Sequence, residues 1–199
     1  EINLIRNDSL FHNISSIYGL FFNIQVKHFT HIFNNLKNRF DLSNYENIID
    51  IGCGTGAMCN VFYEQGLTVT GIDPAEGMIK TAKKKSIGKD IKFIEANVLT
   101  GLPFADKSFD VSISSFVAHG LSKNERLIMY DEMKRITKHL VIIYDYNEHR
   151  GLITDIAEWL EGGDYFNFIK TIKNELNKNF IDVTIINANI RSALYIAKL

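Results

Sequence analysis

The chain has 199 residues, 46% of them hydrophobic, which is enough for one well-buried core and too short for a second full domain. With 22 Lys+Arg against 23 Asp+Glu the formal net charge is −1, so no global basic field draws it to nucleic acid or anionic lipid, and only a local patch remains open. Cys53 and Cys59 form no CxxC pair, which argues against a zinc site or disulfide framework. With no signal peptide and no bilayer-length apolar run visible, the expected compartment is the cytoplasm.

The N-terminal stretch from Leu10 to about Arg39 carries aromatic residues at helical spacing. Phe22, Val26, Phe29, Phe33 and Leu36 recur at three or four residues, and the apolar run before them is interrupted by Gly19. Two short helices capping the domain edge are expected, with the lining of a substrate pocket as the second reading. Membrane association ranks third, because only Lys27, Lys37 and Arg39 supply positive charge nearby in sequence.

Beyond Asn44, short apolar runs alternate with helical segments. Strands are expected at 48–51, 67–72, 91–95, 111–114, 140–144, 183–188 and 193–198, and helices at 56–65, 77–85, 123–137 and 165–177. Such alternation calls for a parallel sheet covered by helices on both faces. The last two strands break it, because only Asn189 to Ser192 separate them. A connection that short forbids a crossover helix, so one of the two runs antiparallel.

The chain is organised around Ile48-Ile49-Asp50-Ile51-Gly52-Cys53-Gly54-Thr55-Gly56, an apolar run ending in an acid and then in glycines at alternate positions. Glycine reaches backbone angles closed to other residues and lets a ligand approach the main chain. With Ala57 the spacing also satisfies the GxGxxA form of a dinucleotide fingerprint, so a nicotinamide site competes here. Asp50 repels phosphate and attracts a cation or an ammonium group. Asp73, after the second strand, is placed to accept from both ribose hydroxyls, or else to cap the helix that includes Met78.

Taken together, these segments resemble class I S-adenosylmethionine-dependent methyltransferases, in the small-molecule, methyltransferase type 11 or UbiE-like branch. Asp50 to Gly56 is similar to the first family motif and Asp73-Pro74-Ala75-Glu76-Gly77-Met78 to the second. Leu102 to Val111 resembles the segment leading into the fourth strand, and Ser114-Ser115-Phe116-Val117-Ala118-His119 that strand's end. The resemblance covers 47–199 and implies a Rossmann-like seven-stranded, mostly parallel α/β sheet with a C-terminal antiparallel hairpin. It implies S-adenosyl-L-methionine as methyl donor, with S-adenosyl-L-homocysteine as product. Asp50, Gly52, Cys53, Gly54, Gly56, Asp73, Pro74, Met78, Asn97, Val98, Ser114 and Ser115 are the residues it assigns to the donor. One departure is Asn97, where the family commonly has an acid facing the adenine amino group; an amide oxygen accepts that bond without charge. Another is Val98 to Gly101, one residue longer than usual.

In-line methyl transfer from a sulfonium needs alignment and exclusion of water more than a nucleophilic side chain, and a base only where the acceptor carries a proton. His119 is the first candidate base or orienting group, since imidazole titrates near neutral pH. Tyr144, Asp145 and Tyr146 are placed to face substrate, with Asp145 alternatively capping the next segment, and Tyr18, in a segment resembling the start of quinone-ring methyltransferases, to close over the donor or simply to pack. His12, His28 and His31 lack partners at ligand spacing, so no metal is expected. The stretch 148–164, with Trp159 and then Gly162-Gly163, reads as a hinged lid.

The expected organisation is one domain over 1–199, with a helical cap (1–43), a cofactor-binding core (44–147), the lid (148–164) and a C-terminal helix and hairpin (165–199). Ser114 to Val117 lacks the prolines of enzymes that methylate nucleic-acid amino groups, and no cysteine stands where cytosine C5 enzymes need one. The expected acceptor is therefore a small, partly apolar or aromatic molecule, with no nucleic acid and no stable membrane insertion; the oligomeric state is open. The alternatives are a nicotinamide-dependent oxidoreductase and a non-catalytic S-adenosylmethionine-binding partner or sensor.

Overall fold

The computed structural model describes residues 21–149 and 164–199. Seven strands run in the order β3-β2-β1-β4-β5-β7-β6, and the chain divides into two compact units, Glu1–Asn97 and Val98–Leu199. The sequence expectation of a mostly parallel sheet with an antiparallel C-terminal pair is met. The lid expected at 148–164, and with it Trp159, lies almost wholly outside the described residues.

In the first unit, residues 21–36 form helix α1. Of the residues whose spacing predicts a buried face, Phe22, Phe29, Phe33 and Leu36 are buried and Val26 is half-buried; Ile32 joins them, and the Phe33 ring meets Phe62 edge-on at 5.2 Å. Strand β1 (Asn47–Ile51), helix α2 (Ala57–Glu64), β2 (Thr68–Asp73), α3 (Glu76–Lys85) and β3 (Ile91–Glu95) follow. The pairs β1–β2 and β2–β3 are parallel. Ile48, Ile49, Asp50 and Ile51 are all buried, the continuous run expected of a strand covered on both faces. Gly71 shows how closely α2 packs on β2. A Cβ there would stand 2.8 Å from Cys59 Sγ and 3.0 Å from Cys53 Sγ, so the strand needs glycine for the two thiols to fit.

The second unit contains β4 (Phe109–Ser115), α4 (Lys123–Ile136), β5 (Thr137–Tyr146), α5 (Tyr165–Asn179), β6 (Asp182–Asn187) and β7 (Ser192–Lys198). Helix α4 starts on a capping box: Ser122 N donates to Glu125 Oε2 at 2.8 Å, and Glu125 N to Ser122 Oγ at 3.4 Å. It leads into β5 with no intervening loop. Strand β5 therefore begins three residues before the expected start and includes Asp145 and Tyr146, which pair with Ala193 and Ser192. Strand β4 pairs parallel with β5, and β7 runs antiparallel to both β5 and β6, so β7 is the reversed strand.

A buried ion network ties α4 to α5. Arg126 donates from Nε to Glu175 Oε1 at 2.8 Å and from Nη2 to Oε2 at 3.1 Å, while Tyr130 OH donates to the same carboxylate at 3.1 Å. Arg126 Nη1 also reaches the Leu121 carbonyl and Asp164 Oδ2. Truncating one partner strands the other charge away from water. Arg126→Ala is therefore expected to lower stability in urea unfolding by about 3–5 kcal/mol, while the apolar double replacement Arg126→Met with Glu175→Leu recovers most of the loss.

Candidate functional site

The glycine turn after β1 is held by the end of β2. Gly52 N and Cys53 N both donate to the Ile72 carbonyl, at 2.9 and 2.8 Å, and Gly54 N donates to Asp73 Oδ2 at 2.9 Å. Gly52, Gly54 and Gly56 have φ of +74°, +53° and +79°, a region that side chains disfavour. The glycines differ in purpose. A Cβ on Gly54 would meet nothing within 4 Å, so that stretch of main chain is open to a ligand. A Cβ on Gly56 would stand 2.9 Å from the Phe93 ring, so that glycine serves packing.

Asp50 lies beneath this turn with 1% of its surface exposed. Its Oδ2 accepts from Cys59 Sγ at 3.4 Å, and its Oδ1 has no hydrogen-bond partner. A buried carboxylate oxygen left unpartnered is costly unless the group is protonated or a cation is supplied. Burial accordingly pushes Asp50 up to about 7, the Cys59 hydrogen bond opposing this and the Asp73 charge adding to it. Burial also holds the Cys59 thiol well above its ordinary value, which keeps it protonated and unreactive.

Asp73 ends β2 and accepts from two amides, Gly54 N on Oδ2 and Ala75 N on Oδ1, both at 2.9 Å. It is not the N-cap of α3, a place taken by Ala75 with no side-chain cap. Each carboxylate oxygen keeps a second lone pair for a ligand hydroxyl. Burial raises Asp73 above the usual carboxylate range against the pull of the two amides. Met78 is buried in the first turns of α3, Pro74 is exposed, and Asn97 after β3 is half-buried.

In the second unit, Val98 is buried and opens a short 3-10 turn. Ser114 and Ser115 close β4 with both Oγ atoms buried and unpartnered. Phe116 follows at φ +54°, a conformation that costs a side chain of order 1 kcal/mol, and its N donates to the Tyr144 carbonyl at 2.9 Å. His119 is 8% exposed. Its Nδ1 lies 2.8 Å from Asp145 Oδ1 and its backbone N donates to Oδ2 at 3.2 Å. Asp145 Oδ1 also accepts from Tyr146 N at 2.8 Å. A carboxylate on Nδ1 favours the tautomer that carries its proton there. Around the imidazole stand the rings of Tyr146 at 4.8 Å, Phe116 and Tyr165 at 6.5 Å, and Phe168 at 6.4 Å.

Of the residues singled out in sequence for chemistry, His119 and Tyr146 thus share one cluster, while Tyr18 lies outside the described residues. The glycine turn, Asp50 and Asp73 come together in the first unit. Sequence reasoning placed Asp145 near substrate without pairing it with His119, and missed Tyr165 and Phe168; the acid ending an apolar strand was the signal for the first, and nothing local marked the other two. No metal-holding group of three His, Cys, Asp or Glu side chains exists among the described residues, and no described helix is long and apolar enough to cross a membrane.

Residues 49–144 match the family model of a methyltransferase domain. The chain is similar to a demethylmenaquinone methyltransferase of Renibacterium salmoninarum, 34% identical over 47% of this chain and 37% of the relative. It is also similar to a ubiquinone/menaquinone biosynthesis C-methyltransferase of Campylobacter jejuni, 30% identical over 52% of this chain and 46% of the relative. The chain thus spans less than half the length of these curated relatives. Among solved structures, a proposed S-adenosyl-L-methionine-dependent methyltransferase from Methanococcus maripaludis superposes with a TM-score of 0.73, covering 94% of this chain and 92% of that one. At 18% identity this is a likeness of fold.

Asp50 sets a pH dependence. Its folded pKa, about 7, lies above the unfolded value of 3.8, so between the two the folded chain holds a proton that the unfolded chain has released. Its contribution is full below about pH 4 and falls as pH rises to about 7, by up to about 1.4 kcal/mol per pH unit. Urea unfolding at a series of pH values is expected to show this fall in the ligand-free protein, and Asp50→Asn to remove it.

Proposed function

From the match of residues 49–144 to the methyltransferase-domain family model, we propose that the chain transfers the methyl group of S-adenosyl-L-methionine to a small, ring-bearing acceptor. The observation that carries the donor half is Asp50, a buried acid with one orphaned oxygen under a turn whose backbone is open at Gly54. That pairing fits a ligand carrying an ammonium group and disfavours a pyrophosphate, which sets aside the nicotinamide alternative. The donor supplies an electrophilic methyl on a sulfonium. Asp50 and the Gly52 to Gly56 turn would hold its amino-acid end, Asp73 its ribose hydroxyls, and Met78 and Asn97 the base. Because a cation beside Asp50 favours the carboxylate over the acid, the protein releases a proton as it binds.

The acceptor reading rests on the second unit. Aromatic faces around His119 suit a flat, partly apolar ring, and the relatives named for quinone-ring methylation give the acceptor class its best support. His119, with Asp145 holding Nδ1, would take the proton from a ring hydroxyl or ring carbon at Nε2, and Tyr146 would pack against the ring. Transfer itself asks for alignment and dryness, which buried aromatic walls supply.

Calorimetry with S-adenosylmethionine, S-adenosylhomocysteine and NAD tests the donor: the first two are expected to bind and NAD is not. Asp73→Ala is expected to weaken donor binding by about 2–4 kcal/mol through loss of a bidentate, charge-assisted contact. An unchanged affinity would mean that Asp73 only shapes the turn. With a demethylated quinone as acceptor, His119→Gln is expected to slow turnover about 100- to 10,000-fold with donor affinity unchanged, and Asp145→Asn to shift the pH profile of turnover. Donor binding without turnover on any ring acceptor would favour the sensor reading.

A further inference from the structure

Helix α1 carries two large apolar side chains on its outer surface, Phe21 at 51% exposure and Ile24 at 62%. In sequence this helix has little positive charge beside it. In the fold the C-terminal end of α3 lies against it: Lys85 Nζ stands 5.7 Å from the centre of the Phe22 ring, and Lys85 and Lys89 share with Phe22, Val26 and Lys27 a cavity of about 410 Å³. Between those two lysines the loop lifts Ile87 into solvent at 81% exposure. Lys83 and Lys84, in the last turn of α3, are exposed as well. Five lysines therefore gather where Glu64, paired with Lys89 at 2.6 Å, and Asp90 are the neighbouring acids, on a chain whose net charge is −1.

Complementing the negative end of the α3 dipole accounts for Lys83, Lys84 and Lys85. It does not account for Lys27, nor for two bulky apolar tips held outward beside the cations, Ile87 between Lys85 and Lys89 and Ile24 one helical turn from Lys27. A second copy of the chain would bring like charges together across a two-fold axis. Nucleic acid would leave Ile24 and Ile87 in water. An interface of apolar tips ringed by lysines matches the headgroup layer of an anionic bilayer, which takes aliphatic and aromatic side chains at shallow depth and places phosphates beside the ammonium groups.

We propose that the face formed by α1 and the α3 C-terminal loop docks peripherally on anionic phospholipid bilayers, with Ile24 and Ile87 entering the headgroup layer and Lys27, Lys85 and Lys89 meeting phosphates. The face belongs to the first unit alone, and docking requires no particular methyl acceptor. It also gives a chain without a described membrane-crossing helix a means of meeting a lipophilic substrate where such molecules reside.

The test is co-sedimentation of the full chain with phosphatidylcholine vesicles and with vesicles containing about one third phosphatidylglycerol, at low and high salt. Binding is expected to the anionic vesicles and to weaken sharply at high salt as the charges are screened. Lys27→Ala and Lys85→Ala are each expected to lower partition about five-fold, from about 1 kcal/mol per lysine at an anionic surface. Ile87→Ser, at an exposed loop tip, is expected to lower it as well. Thermal melts and donor calorimetry on each variant are expected to match the parent, so failure of docking and failure of the methyl-transfer reading are separable. Equal binding to both vesicle types, no binding, or insensitivity to the lysine and Ile87 substitutions would overturn the proposal. So would lipid-free dimerisation abolished by Ile24→Ser, or binding to duplex DNA that matches the vesicles and ignores Ile87→Ser.

Discussion

The end of β2 governs the first unit. One carbonyl, that of Ile72, takes the amides of both Gly52 and Cys53, and the next side chain, Asp73, takes that of Gly54. Three consecutive donors of the turn are thereby committed to β2 before any ligand arrives, which fixes the turn's shape and leaves the carboxylate's outer lone pairs and the Gly54 main chain facing outward. A site built this way pays its ordering entropy during folding, and binding then meets a preformed surface. Asp50 fits the same logic with opposite sign: its orphan oxygen is a destabilising feature of the fold, which a cation placed beside it would relieve.

The second unit uses a different device. Asp145 is held rigidly because it lies within β5, paired across to Ala193 on β7, and not in a loop beyond the strand. Its carboxylate therefore reaches His119 from a fixed platform, and the aromatic rings limit how far the imidazole turns. The left-handed Phe116 belongs to this arrangement, since it redirects the chain after β4 so that the next turn brings His119 over Asp145. Strain at that residue is offset by backbone bonding to β5 and by ring contacts with Tyr144 and Tyr146.

Much of this was legible in the chain. Short apolar runs located all seven strands, because a strand covered on both faces has few places for polar residues. The four-residue link before Ser192 required the antiparallel reversal. The glycine turn and the two acids at the ends of β1 and β2 were legible because those positions demand particular backbone angles and charges. The strand ends were less so. Lys138 and His139 read as a break, yet β5 passes through them as it leaves α4, since solvent-exposed polar side chains are compatible with a strand. The surroundings of His119 were not legible, because Tyr165 and Phe168 arrive from a distant helix and look like ordinary core residues of an amphipathic pattern. The same holds for the lysines beside α1: clustering of charge across two helices is a property of the fold, invisible to any window along the chain.

Gly71 carries one more consequence. The space that a side chain would fill on β2 is occupied by the sulfur atoms of Cys53 and Cys59, so the two helix-side residues and the strand residue divide a single fixed volume. Change at one of these positions is tolerable only with compensation at another. A related chain with alanine at the place of Gly71 needs something smaller than cysteine at the place of Cys59, and a chain with a larger group at either cysteine position must keep the glycine. The three positions therefore drift as a set, and one of them, Cys53, belongs to the glycine turn itself.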